Sequence, residues 1–155
     1  MASGGIHVIS GSTVGALARS RLSAFVGGVI SHGVLDAVPH RDCASWTANA
    51  IETAAGAAIA VVFAKGMSRK RRDNAFFGAL GAVTPDVETV AHKAGWLPAD
   101  QRLFPTQSGA IVHGRGGPAS TVLLSVASIA VAILAVRPVR LEAGILSSQP
   151  RRAGK

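Results

Sequence analysis

The sequence lacks tyrosine, has a single cysteine and contains few charged residues. One Cys in 155 residues excludes an internal disulfide. The aromatic residues are five Phe and two Trp, and none lies among the clustered basic residues, which argues against a stacking platform for single-stranded nucleic acid. Charged residues make up 15% of the chain and hydrophobic residues 48%, a balance that argues against disorder except at the ends. Abundant Gly and Ala favour closely packed helices over a β-rich fold.

Long apolar runs make up much of the chain. As helices, residues 22–38 and 46–65 reach about 25 and 30 Å, close to the thickness of a bilayer core. Residues 119–136 contain no charge and are the best transmembrane candidate. Shorter apolar segments at 8–18 and 73–83 predict further helices. The sequence therefore predicts an all-α integral membrane bundle of about four or five helices.

Prolines mark the predicted ends of these helices. The residue before a proline avoids helical angles, so Pro39 is expected to end the helix over 22–38. The segment "TPD" at 84–86 has the pattern of a helix start, because Thr can cap a helix, Pro suits the first turn and Asp favours the positive helix end. A separate helix is therefore predicted from there to about Lys93, followed by a long loop over 94–118.

The formal net charge of +8 fits either a nucleic-acid-binding protein or a membrane protein with basic cytoplasmic loops. If consecutive helices run up and down, one side receives 12 of the 16 basic residues with 2 acids, and the other side receives 4 basic residues with 6 acids. This asymmetry is typical of a multi-pass protein with its basic loops in the cytoplasm. We expect residues 1–140 to form one membrane-embedded domain, residues 141–155 to be a disordered basic tail in the cytoplasm, and no nucleic-acid partner.

The same alternation collects every histidine at the opposite, acidic end. These histidines are His7, His32, His40, His92 and His113. The acids at that end include Asp36, Asp42, Asp86 and Glu88. Histidine and carboxylate groups are costly to bury unless something satisfies them. This end of the bundle is therefore the candidate functional site.

Two His–carboxylate pairs at this end have the i, i+4 spacing that puts both side chains on one helix face. His32 and Asp36 lie in "SHGVLDAVPHRD", and Glu88 and His92 lie after Pro85. Helical zinc sites use this spacing. A hydrogen-bonded His–Asp pair and an exposed side-chain pair have the same spacing, so the pattern alone leaves both interpretations open.

These segments resemble a known family, the bacterial inner-membrane-associated metal-dependent hydrolases. The likeness rests on "SHGVLDAVPHRD" at 31–42, on "GALGAVTPDVETVAH" at 78–92 and on an early His7 before a glycine-containing helix, and it covers residues 6–136. The H-x-x-x-D element is also similar to one in zinc-dependent phospholipase C, although His40 follows Asp36 more closely than in that pattern. The resemblance implies a multi-pass protein of the bacterial inner membrane and a metal-dependent hydrolase.

The expected site is a divalent metal centre at the non-cytoplasmic helix ends. The expected ligands are His7, His32, Asp36, Asp86 and His113, with His40, Asp42 and His92 as further ligands or supporting residues. A mixed His and carboxylate set suits zinc first, with manganese or iron as alternatives. Glu88 is the expected general base, and the metal-activated water would attack an ester or phosphoester.

Two other functions fit the same residues. The first is a non-catalytic membrane protein whose polar end binds a partner, lipid headgroups or a structural metal. The second is a small soluble helical protein that binds nucleic acid through its basic tail. Extraction that depends on detergent separates the second of these from both membrane interpretations.

Overall fold

The structure is a computed structural model that describes residues 4–40, 45–110, 114 and 116–136. Regular structure in this part of the chain is entirely helical, as the sequence predicted. The α-helices are α1 (Gly4–Leu17), α2 (Arg21–Ala37), α3 (Trp46–Ala64), α4 (Arg69–Lys93), α5 (Pro105–Ser108) and α6 (Pro118–Val136). A single 3₁₀ turn, Ala99–Gln101, lies between α4 and α5. The predicted tail at 141–155 lies outside the described residues.

The centre of the fold is α4, which packs along both α1 and α2, while α1 also contacts α3 and α6. Glycines make these contacts close. Gly78 of α4 packs against the backbone of Gly11 and Gly15 in α1, and Gly28 of α2 packs against the backbone of Gly78. A Cβ atom at any of these positions would collide with a neighbouring helix, so the bundle is held by backbone-to-backbone packing, as small residues allow.

The interior and the surface have an unusual distribution of polarity. The largest fully buried side chains are His7, His32, Asp36 and Pro85. Large apolar side chains lie outside instead: Leu22, Val26, Ile30 and Val34 follow one another at four-residue intervals along α2 and are 47 to 74% exposed. The interior of the described bundle is thus partly polar, and a continuous face of α2 is apolar and exposed.

Capping side chains and a following proline explain where helices α1 and α2 begin or end. Ser20 caps α2 by accepting from the backbone N–H of Ser23, whose hydroxyl in turn accepts from the Ser20 N–H. The helix ends at Ala37, and Val38 is extended as expected before Pro39. The end of α1 is capped from α4, since the Asn74 side chain donates to the carbonyl oxygen of Ala18 at 2.8 Å.

The predicted helix start at 84–86 is wrong, because α4 continues through Pro85 from Arg69 to Lys93. Thr84 does not cap a helix; its hydroxyl donates to the carbonyl oxygen of Leu80, one turn earlier. Pro85 is fully buried, and Gly81, the residue whose carbonyl the proline ring faces, packs against the backbone of Phe25. The burial of Pro85 and the packing of Gly81 against α2 therefore outweigh the local signal for a helix start.

Among the described residues, Trp46–Ala64 is the one helix long and apolar enough to cross a membrane by length and composition. The segment that the sequence favoured, 119–136, forms most of α6, in which Ala119–Ala135 is a shorter apolar stretch. The integral membrane bundle therefore stays a prediction. The predicted loop over 94–118 contains the 3₁₀ turn and α5, and α1 begins at Gly4 rather than near residue 8. That earlier start places His7 on a helix.

Candidate metal centre

Three of the predicted ligands meet inside the bundle. His7 comes from α1, and His32 and Asp36 come from one face of α2. One ligand atom from each lies within 4.8 Å of the others, and the three residues are at most 1% exposed. His32 Nε2 lies 3.1 Å from Asp36 Oδ2, and His7 Nε2 lies 3.4 Å from Asp36 Oδ1. The two imidazole rings stack with their centroids 4.0 Å apart. This group can hold a metal ion.

The tautomer of His32 follows from its backbone contact. Its Nδ1 lies 2.6 Å from the carbonyl oxygen of Ala82 on α4. A carbonyl only accepts hydrogen bonds, so Nδ1 carries the hydrogen and Nε2 of the neutral ring has a lone pair. That lone pair faces the Oδ2 atom of Asp36, which is also an acceptor. Two acceptors 3.1 Å apart in a buried site need a cation between them or a proton on one of them.

Pro85 lies on α4 just after the carbonyl that orients His32. Proline has no N–H, so the carbonyl of Gly81 loses its usual helical donor, and the ladder of α4 is interrupted beside Ala82. The ring N–H of His32 donates to the carbonyl oxygen of Ala82, next to this interruption. Asp86 follows the proline and is near enough to His32 to act on it electrostatically. The predicted ligand Asp86 thus lies beside the group of three rather than within it.

Two side chains of α5 also donate hydrogen bonds to the Asp36 carboxylate. Thr106 donates a hydrogen bond to its carboxylate, and the Gln107 amide nitrogen lies 3.3 Å from Oδ2. Sequence analysis missed both residues. They lie in a segment predicted to be a loop, and "PTQS" has no spacing that links it to a residue 71 positions earlier.

His40 lies next to the centre, on the turn that follows Pro39. Its Nδ1 is 2.7 Å from the carbonyl oxygen of Val38, and its ring is 6.2 Å from that of His7 in an edge-on arrangement. With Ile6, His7, Leu35 and Leu124, His40 lines a void of about 10 Å³. The position fits the supporting role predicted for His40.

The second predicted pair, Glu88 and His92, is engaged elsewhere. The Glu88 carboxylate accepts hydrogen bonds from the backbone N–H groups of Leu103 and Phe104 at 3.0 to 3.1 Å. His92 Nδ1 lies 2.9 Å from the carbonyl oxygen of Leu97. Both side chains therefore fasten the connection after α4.

Two further predicted ligands, Asp42 and His113, lie outside the described residues. The backbone N–H of Gly114, the neighbour of His113 in sequence, donates to the carbonyl oxygen of Asp36 at 2.7 Å. The connection before α6 is thereby fastened to the end of α2 that carries the centre.

No protein-family model, curated protein or solved structure matches the chain. The family resemblance of the two His-containing motifs therefore stays a prediction. The buried group of His7, His32 and Asp36 is the feature of this chain that points to a function.

Proposed function

We propose that this chain is a membrane-embedded, metal-dependent hydrolase-like protein whose His7, His32 and Asp36 side chains hold a divalent cation. The observation that carries the proposal is the buried contact between His32 Nε2 and Asp36 Oδ2, where two acceptors meet at 3.1 Å. A divalent cation resolves that conflict and uses both lone pairs. The stacked His7 ring brings the third ligand within reach.

The ligand set favours a catalytic type of centre. Catalytic zinc sites commonly have three protein ligands with a water in the fourth position, whereas structural sites are closed by four and are rich in Cys. Two imidazoles and a carboxylate suit zinc first, and manganese or iron also fit. A metal bound there lowers the pKa of a coordinated water and polarises an ester or phosphoester group.

The residues of this chain then have separate roles. His7, His32 and Asp36 bind the cation, and the carbonyl of Ala82 fixes the ring of His32. The predicted general base, Glu88, has no such role in this proposal, because its carboxylate accepts from the backbone of the 103–104 segment.

Membrane embedding is supported by where the apolar surface lies. Only 6% of the apolar stretch of α3 is buried against the rest of the described chain. The exposed row of α2 side chains adds a second apolar face. Monomeric soluble proteins rarely expose contiguous apolar patches of this kind, and lipid covers such faces at no cost in free energy. We therefore propose a multi-pass protein of the bacterial inner membrane.

The distribution of basic residues supports one orientation of the bundle in the membrane. Arg21 at the start of α2 pairs with Asp73 near the start of α4 at 2.7 Å, so these two helix starts lie at one end of the bundle. The basic residues of 65–72 belong to that end, and the metal centre lies near the opposite end of α2. Arg71 at that end donates to the carbonyl oxygen of Ala135 near the end of α6. The positive-inside tendency therefore favours a cytoplasmic basic end, with the C-terminus on the same side.

A non-catalytic protein with a structural metal is the second candidate, and the closure of the centre favours it. The three ligands are buried, and the adjoining void of about 10 Å³ has room for about one water. Hydrolysis therefore requires the centre to open to its substrate. A centre that never opens would only stabilise the bundle.

Metal analysis of the detergent-purified protein, combined with hydrolysis of ester and phosphoester probes, tests these alternatives. One equivalent of zinc, with hydrolysis that is lost in His32→Ala, is expected for the hydrolase. Stoichiometric zinc without hydrolysis of any probe supports the structural alternative. A protein that binds no divalent metal even after zinc loading contradicts both.

A further inference from the structure

We infer that Gln107 is a positioning residue of the metal centre, held in one amide orientation by Thr89 and Arg102 so that its NH₂ group faces Asp36. The inference rests on the proposed metal-binding role of Asp36. It gives a second contact to α5, the four-residue helix whose Thr106 also donates to the Asp36 carboxylate.

A chain of hydrogen bonds leads from α4 to Asp36. The Thr89 hydroxyl lies 2.5 Å from Gln107 Oε1, and an Arg102 guanidinium nitrogen lies 2.9 Å from the same oxygen. The same Arg102 nitrogen donates to the Thr89 oxygen at 3.1 Å. Gln107 Nε2 lies 3.3 Å from Asp36 Oδ2. Every step runs from a donor to an acceptor.

These contacts determine which way the amide points. Since Arg102 occupies the Thr89 oxygen as a donor, the hydroxyl hydrogen of Thr89 is directed at Gln107 Oε1. Two donors then converge on Oε1, and the NH₂ group of the amide must face the other way, toward Asp36. The flipped amide would present its oxygen to a carboxylate and its NH₂ group to a guanidinium, and would lose the bond from Arg102 and the bond to Asp36.

The hydrogen bond from Gln107 fixes the orientation of the Asp36 carboxylate. The Gln107 donor holds Asp36 Oδ2 where it meets His32, while Oδ1 stays toward His7. Hydrogen bonds that orient a metal ligand are typically worth about 10- to 100-fold in metal affinity. Gln107 therefore contributes to affinity without contacting the metal, and Thr89 contributes through Gln107.

Zinc affinity of the full-length, detergent-purified protein, measured by competition with a chelator, tests the inference. Gln107→Met removes the donor that faces Asp36 at nearly constant shape and adds no charge beside the metal. It is expected to weaken zinc binding about 10-fold or more. Gln101→Met is the matched control, because it makes the same substitution on an exposed residue of the 3₁₀ turn, and its affinity should equal that of the wild type.

A second pair of variants tests the same role if Gln107→Met does not fold. Thr89→Val removes one of the two donors to Gln107 Oε1 with little change in shape, so the amide is held less firmly and zinc binding should weaken several-fold. Thr89→Ser keeps the hydroxyl and should restore wild-type affinity. A purely structural Thr89 would instead lower the thermal stability of the metal-free protein and leave the zinc affinity unchanged.

The outcomes separate this inference from the proposed function. If the wild type binds zinc and Gln107→Met binds as tightly as Gln101→Met, the metal centre stands and the role of Gln107 is rejected. The same conclusion follows if Thr89→Val and Thr89→Ser bind equally. If the wild type binds no zinc, the proposed function fails and the inference fails with it.

Discussion

His32 donates its Nδ1 hydrogen to the carbonyl oxygen of Ala82 across 2.6 Å, and this bond turns its other ring nitrogen toward Asp36. The backbone of α4 thus sets the tautomer of a side chain on α2. Metal-binding histidines are commonly oriented in this way, with the nitrogen that does not bind metal donating to a carbonyl or carboxylate. The relationship makes His32 the most preorganised residue of the centre.

A contrast between two histidines follows from that preorganisation. His32→Ala should abolish zinc binding, because it removes a ligand whose geometry is fixed from α4. His40→Ala should weaken binding about 10- to 100-fold, since His40 borders the group without belonging to it. Zinc content and affinity of both variants, each checked for helicity in detergent, measure the difference. Equal zinc binding in the wild type and His32→Ala would contradict the assigned centre.

Asp36→Asn distinguishes a metal centre from a protonated His–Asp pair. The amide can still accept from Thr106 and can donate to an imidazole nitrogen, so the bundle should stay folded while zinc is lost. A chelator should then lower the melting temperature of the wild type but not that of Asp36→Asn, because a bound ligand stabilises by about 4 kcal/mol at a thousandfold excess over its Kd. Thermal unfolding with and without chelator is the measurement. An unchanged wild-type melting temperature indicates the ion pair.

The parts of the site that sequence analysis predicted are those fixed by local spacing. The i, i+4 separation placed His32 and Asp36 on one face, and Pro39 ended their helix where expected. His7 was predicted to belong to the site because the alternation of helices assigned it to the same end of the bundle. Its actual approach to Asp36 depends on α1 packing against α4 and α2 through small residues, which is a property of the assembled bundle.

The parts that sequence analysis did not predict depend on contacts between distant residues. Glu88 looked like a partner of His92, but the backbone N–H groups that it accepts from lie 15 and 16 residues further on. Pro85 looked like a helix start, but it is buried within α4, and Gly81, one turn earlier, packs against the backbone of Phe25 in α2. Gln107 reaches Asp36 across 71 residues, a separation at which no local pattern is informative.

A charge placed on the exposed face of α2 tests whether lipid covers it. Ile30 is 61% exposed and lies near the middle of α2, whereas Leu22 is 74% exposed and lies at its start. In a bilayer, Ile30→Lys costs about 2.5 to 3.5 kcal/mol, while a Lys at position 22 can extend to the interface. Ile30→Lys should therefore reduce the yield of membrane-inserted protein, and Leu22→Lys should not.

The two lysine variants are compared by their carbonate-resistant membrane fractions and by their yields after detergent extraction. In a water-soluble bundle both positions are ordinary surface sites, and such substitutions usually change stability by less than about 0.5 kcal/mol. Recovery of the wild type and both variants in the soluble fraction without detergent would contradict the membrane assignment.

Gly78→Ala tests whether helix packing and metal binding are coupled. A Cβ at Gly78 would meet the backbone of Gly11 and Gly15 in α1, the helix that carries His7. Overpacking of this kind typically costs about 1 to 3 kcal/mol, and backbone cannot move aside as a flexible side chain can. Because α1 must shift, His7 should leave its position beside Asp36, so both the melting temperature and the zinc affinity should fall.

Gly33→Ala is the matched control for this change. Gly33 is also a helical glycine, it lies next to His32 in sequence, and a Cβ there would meet nothing within 4 Å. Replacing a helix-interior Gly by Ala typically stabilises by about 0.5 to 1 kcal/mol, so Gly33→Ala should match or exceed the wild-type melting temperature and keep its zinc affinity. If Gly78→Ala lowers the melting temperature but binds zinc as tightly as Gly33→Ala, the position of α1 does not control the centre, and His7 is not one of its ligands.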